Sequence, residues 1–120
     1  MKNVVLIKHP KNWGLNEKEV LVKAKEALNY FKLKENIELS VVFVGRKKAK
    51  ELNTKYRKKD YIPQVLGFPM SKNADNDGYI RLGDIVICTQ KLKYEETFLK
   101  KKRSEILTEW MIHGVENLLK

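Results

Sequence analysis

The sequence predicts an α+β fold, a small mixed β-sheet of about four strands covered by helices, in one domain spanning residues 1–120. Three observations predict it. Short runs with strand-like apolar patterning recur at 3–7, 37–44, 64–68 and 84–88. Longer segments between and after them carry apolar residues at helical steps. No repeat, low-complexity tract or linker divides the chain, and its order of strand, helix, strand, helix, two strands, then helices suits helices layered on a mixed sheet.

Each element has its own signal. Val4-Val5-Leu6-Ile7 reads as a strand closed by Pro10. Asn16 then fits a helix cap, with Glu19 three residues on completing a capping box. Val20, Ala24, Ala27, Leu28 and Phe31 form one apolar stripe, so this helix runs to about Lys32. Ile37, Leu39, Val41 and Phe43 alternate as strand residues do, while Val42 and Val44 make the far end apolar on both sides. Gly45 breaks the strand. The next helix covers about 47–56, with Ala49, Leu52 and Tyr56 facing inward and Arg57 at its carboxyl end, where the helix dipole favours a cation. Pro63 opens an extended segment ended by Pro69. Residues 70–81 read as a polar loop with an Asp77-Gly78 turn. A strand at 84–88, a helix from about Gln90 and a last helix from about Ser104 to Leu119 complete the chain.

Charge and cysteine content limit the function classes. The chain has 25 Lys and Arg against 15 Asp and Glu, a formal net charge of +10. A field of that sign attracts polyanions, nucleic acid ahead of an acidic membrane surface. No apolar run approaches the roughly 20 residues that span a bilayer, so no membrane partner is expected. The single cysteine, Cys88, sits in an apolar strand and reads as a buried thiol. With no signal-like amino terminus, it predicts the reducing cytoplasm. A domain of this size needs no disulfide to fold, since it buries roughly two-thirds of the surface its unfolded chain exposes.

Three segments together carry a resemblance. They are Glu51-Leu52-Asn53-Thr54-Lys55-Tyr56-Arg57-Lys58-Lys59-Asp60 running on to Val65-Leu66-Gly67-Phe68-Pro69, then Leu82-Gly83-Asp84-Ile85-Val86-Ile87-Cys88, then Ile112-His113-Gly114. In this order and spacing they resemble the YbeY family of bacterial endoribonucleases that mature ribosomal RNA. The resemblance covers roughly residues 37–119. It implies a metal-dependent, single-strand-specific endoribonuclease whose partner is ribosomal RNA or the ribosome. It also implies Zn²⁺, held by three histidines of the motif H-G-x-L-H-L-x-G-x-D-H. The first maps onto His113, the second onto position 117, which is Asn117 here, and the third lies beyond Lys120. The family's T-[DN]-V-L-S-F stands as Pro63-Gln64-Val65-Leu66-Gly67-Phe68.

These changes matter because catalytic zinc takes three protein ligands and one open position for water. The alternative reading is therefore a catalytically impaired module on the same fold that binds RNA or ribosome. A weak carboxylate site for Mg²⁺ or Mn²⁺ on Glu109, His113 and Glu116, which share a helix face, is a further expectation.

The resemblance also names the site residues. It implies that Arg57 lies near the metal and holds phosphate, a task that suits a planar guanidinium; alternatively Arg57 only complements the helix dipole. His113 is expected in the ligand position or in a general acid–base role, with a packed core histidine as the other reading. Lys55, Lys58 and Lys59 flank Arg57 as phosphate contacts, and Lys100-Lys101-Lys102-Arg103 either extends an RNA track or forms a solvated face. Tyr56, Tyr61 and Phe68 interleave with the cations, as stacking on unpaired bases would require; core packing is the other reading for Tyr56 and Phe68. His9, near Trp13, reads as a loop residue without a partner.

Overall fold

A computed structural model describes residues 2–33 and 35–120. Its elements are β1 (Asn3–Lys8), α1 (Glu17–Tyr30), β2 (Asn36–Val44), α2 (Arg46–Arg57), β3 (Val65–Pro69), β4 (Tyr79–Cys88), α3 (Thr89–Phe98) and α4 (Arg103–Leu119). The strands form one mixed sheet in the order β1-β2-β4-β3. β1, β2 and β4 run parallel, and β3 pairs antiparallel to β4 at the sheet edge. No helix among the described residues is long and apolar enough to cross a membrane.

The main core lies on one face of this sheet. Ile37, Leu39, Val41 and Phe43 of β2 point there, and alternation along the strand is what aims them together. Ile80, Leu82, Ile85 and Ile87 of β4 join them, covered by the apolar stripes of α1 and α4. The smaller second face is covered by α2, whose buried Ala49 belongs with Leu66 and Val86, outside that main cluster.

The Asn16 cap is present: its Oδ1 accepts from the backbone N–H of Lys18 at 2.8 Å and of Glu19 at 3.2 Å. α2 stops differently. Lys58 adopts the left-handed conformation at φ 57° and donates its N–H to the Thr54 carbonyl at 3.1 Å. That arrangement closes a helix end, and it leaves Arg57 as the last helical residue.

Three sequence expectations are corrected. β4 begins at Tyr79 rather than 84, and a bulge at Leu82–Gly83 interrupts it: Arg81 pairs with Glu38, yet Gly83 pairs with Leu39. The extra residue switches which positions face the core, from Ile80 and Leu82 to Ile85 and Ile87, and so hides the strand's alternation. Tyr56 does not face the core but is 57 % exposed, whereas Asn53 on the same helix is fully buried.

The third correction is His9, which does have partners. Its ring stacks on Trp13, with centroids 3.8 Å apart, and Trp13 meets Phe43 edge-on at 4.8 Å. Nδ1 lies 2.7 Å from the Pro10 carbonyl and Nε2 lies 2.9 Å from a Glu17 carboxylate oxygen. The Pro10 carbonyl raises the His9 pKa most; partial desolvation opposes it, and Glu17 adds to the rise. A raised folded-state pKa stabilises the fold fully below the ordinary value of 6.5, and the gain is lost as pH climbs through the folded value. Melting temperature should therefore fall as pH rises above 6.5, and His9→Gln should remove that component. Identical melting profiles for the two proteins between pH 5 and pH 9 would show that the stack contributes nothing.

Candidate nucleic-acid groove at the sheet edge

The residues after α2 are tied back to the helix that precedes them. Buried Asn53 donates its side-chain amide to the Tyr61 carbonyl at 3.0 Å, and Thr54 Oγ1 donates to the Lys59 carbonyl at 3.1 Å. The backbone N–H of Cys88 then donates to the Gln64 carbonyl at 3.0 Å, which fixes the chain where β3 begins. Arg57, Tyr61, Gln64, Val65 and, from α3, Lys91 consequently line one open groove of about 340 Å³. Neither Arg57 nor Lys91 forms an ion pair among the described residues. Two cations without carboxylate partners facing one groove, with a tyrosine half exposed beside them, form a receptor for phosphate and an adjacent base.

The other expected contacts do not line this groove. Lys55 sits over the Tyr56 ring, 5.2 Å from its centroid, and lines the outer side of α2 with Lys47 and Lys50. Tyr56 meets Phe68 edge-on at 5.2 Å. Lys58 and Lys59 are exposed just past the helix end. The cationic run at 100–103 is half engaged within the protein. Lys101 pairs with Glu95 at 3.2 Å, and Arg103 with Glu96 at 3.1 Å. These pairs tie α3 to the start of α4 and commit two of the run's four cations within the protein.

α4 approaches β3 from the main-core face. Two glycines permit the close approach. A Cβ at Gly114 would come within 2.8 Å of Ile85, and one at Gly67 within 2.9 Å of the Asn117 side chain. Arg57 lines its groove together with Val65 of β3, and α4 meets β3 two residues along, at Gly67. Arg57 and the His113 helix both approach the edge strand β3, and no hydrogen bond joins the Arg57 and His113 side chains.

His113 itself is exposed, and its imidazole makes no hydrogen bond among the described residues. The packed-histidine reading is therefore overturned. The buried stripe of α4 runs through Leu107, Trp110, Met111, Gly114, Val115 and Leu118. Glu109, His113 and Glu116 fall on the exposed face. Among the described residues, no three His, Cys, Asp or Glu side chains gather into a metal-holding group, so the carboxylate-rich alternative does not form. Among the described residues, His113 offers one exposed imidazole and Asn117 a half-buried carboxamide, where a catalytic zinc takes three protein ligands.

Sequence reasoning missed Lys91 and Gln64 as groove residues. Lys91 lies on another helix, far along the chain from Arg57, and no spacing rule links them; only the pairing of β3 with β4 does.

Comparison with known proteins agrees with this architecture and with the quoted motifs. The family described as Endoribonuclease YbeY matches residues 8–119. The chain belongs to the YbeY family. Endoribonuclease YbeY of Aquifex aeolicus is 35% identical over 118 residues, covering 98% of this chain and 76% of its own length. That of Mesoplasma florum is 33% identical over 116 residues, covering 82% of this chain and 68% of its own. The Thermodesulfovibrio yellowstonii YbeY is 37% identical over 86 residues, covering 68% of this chain and 50% of its own. A Thermotoga maritima protein solved in solution shares the fold with TM-score 0.61 and 22% identity, over 98% of this chain and 73% of that one. YbeY family membership thus rests on sequence, and the four-stranded mixed sheet with its helices agrees with the solved neighbour.

Proposed function

We propose that this YbeY chain is an endoribonuclease of ribosomal RNA maturation that engages single-stranded RNA in the Arg57–Lys91 groove, in the cytoplasm. The observation that carries the reading is the pair of cations without carboxylate partners facing one groove beside Tyr61. Arg57 grips a backbone phosphate with two N–H donors and stabilises the negative charge that builds as the phosphodiester is attacked. Lys91 holds a neighbouring phosphate as a point charge, and Tyr61 stacks an unpaired base. Lys58 and Lys59, exposed at the helix end, extend the positive field along the strand of RNA. The family's Zn²⁺ would supply an activated water when bound. His113 stands at one of its ligand positions and Asn117 at another, so the described residues do not complete that site.

The test is cleavage and binding of labelled RNA fragments, single-stranded and duplex, with and without added Zn²⁺. Cleavage confined to the single strand is the expected result. Binding without cleavage under every metal condition would overturn the endonuclease reading and leave an RNA-binding module. Affinity should fall with salt, the logarithmic slope losing about 0.7 for each phosphate neutralised on a single strand. Arg57→Ala should make the slope shallower by about that amount. A salt-independent affinity would rule out a phosphate-binding groove.

A further inference from the structure

The groove contains a group that the phosphate-binding account does not use. Gln64 lines it, and its side-chain amide is held from behind by Glu95, which is only 3 % exposed. Glu95 accepts from Gln64 Nε2 on one carboxylate oxygen and from Lys101 Nζ, at 3.2 Å, on the other. The NH₂ end of the Gln64 carboxamide therefore faces Glu95. The carbonyl Oε1 is left over. No protein donor takes it among the described residues, and it belongs to a side chain that borders the same groove as Arg57 and Lys91.

We infer that Gln64 selects the base: its Oε1, oriented by Glu95, accepts a hydrogen bond from the exocyclic amine of a base in the bound strand, which cytosine, adenine and guanine carry and uracil lacks. This rests on the groove being the RNA site. The division of labour follows from the donor inventory. Arg57 and Lys91 offer only donors, which suit phosphate oxygens; Gln64 Oε1 is an acceptor, which phosphate cannot satisfy. An amine on the Watson–Crick edge of a base can satisfy it. Uracil is disfavoured because its single ring N–H lies between two carbonyl oxygens, so acceptor would approach acceptor. In a duplex the same amine is already paired, so the contact also favours unpaired strands.

Cytosine and uracil are both pyrimidines and differ at the group in question, which makes oligocytidylate and oligouridylate of equal length the probes. Their binding is read by fluorescence anisotropy at fixed salt. The wild-type protein should prefer oligocytidylate by about three- to tenfold, the range of one neutral hydrogen bond. Gln64→Leu should bring the ratio of the two affinities close to one, lowering oligocytidylate affinity more than oligouridylate affinity. Glu95→Gln, checked for folding by its melting curve, should collapse the same ratio by releasing the carboxamide to rotate. A lost fold would lower both affinities, whereas a lost orientation changes only their ratio. Equal wild-type affinities, or a preference that survives Gln64→Leu, would overturn the inference. Arg57→Ala separates this from the groove itself: it should weaken both oligomers alike, and failure to weaken either would reject the groove whatever Gln64 does.

Discussion

Gly83→Ala should cost this protein about 3–5 kcal/mol and lower its melting temperature by roughly 10–20 °C. Gly83 sits at φ 143°, a backbone conformation that residues with a Cβ rarely adopt, and that strain alone costs about 1–3 kcal/mol. The methyl group would also have to occupy space 2.3 Å from the Phe68 carbonyl oxygen and 2.9 Å from Leu118. The Phe68 oxygen is backbone of the paired strand β3, so it cannot swing aside as a side chain would. Relief requires separating β3 from β4, whose pairing continues through Pro69 and Gly83. A cost of this size is a large share of the 5–15 kcal/mol that ordinarily holds a domain together. Because Val65 starts β3, the Arg57–Lys91 groove should loosen as well. Gly78→Ala is the control. Gly78 has φ 84°, but a methyl group there would meet nothing within 4 Å, so only the backbone preference is lost, about 1–2 kcal/mol. Thermal melts followed by circular dichroism decide the matter. Similar melting temperatures for the two variants would show that the close approach at Gly83 imposes no constraint.

The same glycine explains what was legible in the sequence. Where alternation ran unbroken, as from Ile37 to Phe43, the burial pattern follows the sequence residue by residue. The Asn16 cap was legible because capping is a local bond between near neighbours. β4 was half hidden because a bulge is defined by the partner strand and leaves no periodic trace of its own. Asn53 was missed for a related reason. A polar residue within a charged helix reads as solvated, and it is the returning Tyr61 carbonyl that takes up its amide donor, while its buried Oδ1 has no hydrogen-bond partner among the described residues. The site divides along the same line. Arg57 and the Tyr56–Phe68 region were marked by a contiguous motif, whereas Gln64, Glu95 and Lys91 acquire meaning only when α3 lies beside the start of β3. His113 shows the limit of reading neighbours. Trp110 and Met111 are buried, but a turn of 100° per residue carries position 113 out to solvent.

Arg57→Ala should weaken single-stranded RNA binding by about 1–3 kcal/mol and slow cleavage by roughly 10²–10³-fold. The larger effect falls on the chemical step because charge on the phosphate grows as it is attacked, so the guanidinium is held more tightly in the transition state than in the bound ground state. Folding should hardly notice. Arg57 is exposed and forms no ion pair among the described residues, so its loss forfeits only a helix-end cation worth about 0.3–1 kcal/mol. Arg57→Lys distinguishes the two roles of the side chain. Lysine keeps the charge at the helix end and most of the long-range attraction for RNA, but it lacks the planar fork that meets two phosphate oxygens at once. Binding should therefore recover further than cleavage does, and stability should recover fully. A residue that served only the helix dipole would behave in the opposite way, with alanine lowering the melting temperature while RNA affinity and cleavage stayed at wild-type values. That outcome would move the RNA site away from α2, since Lys91 alone cannot supply the bidentate contact.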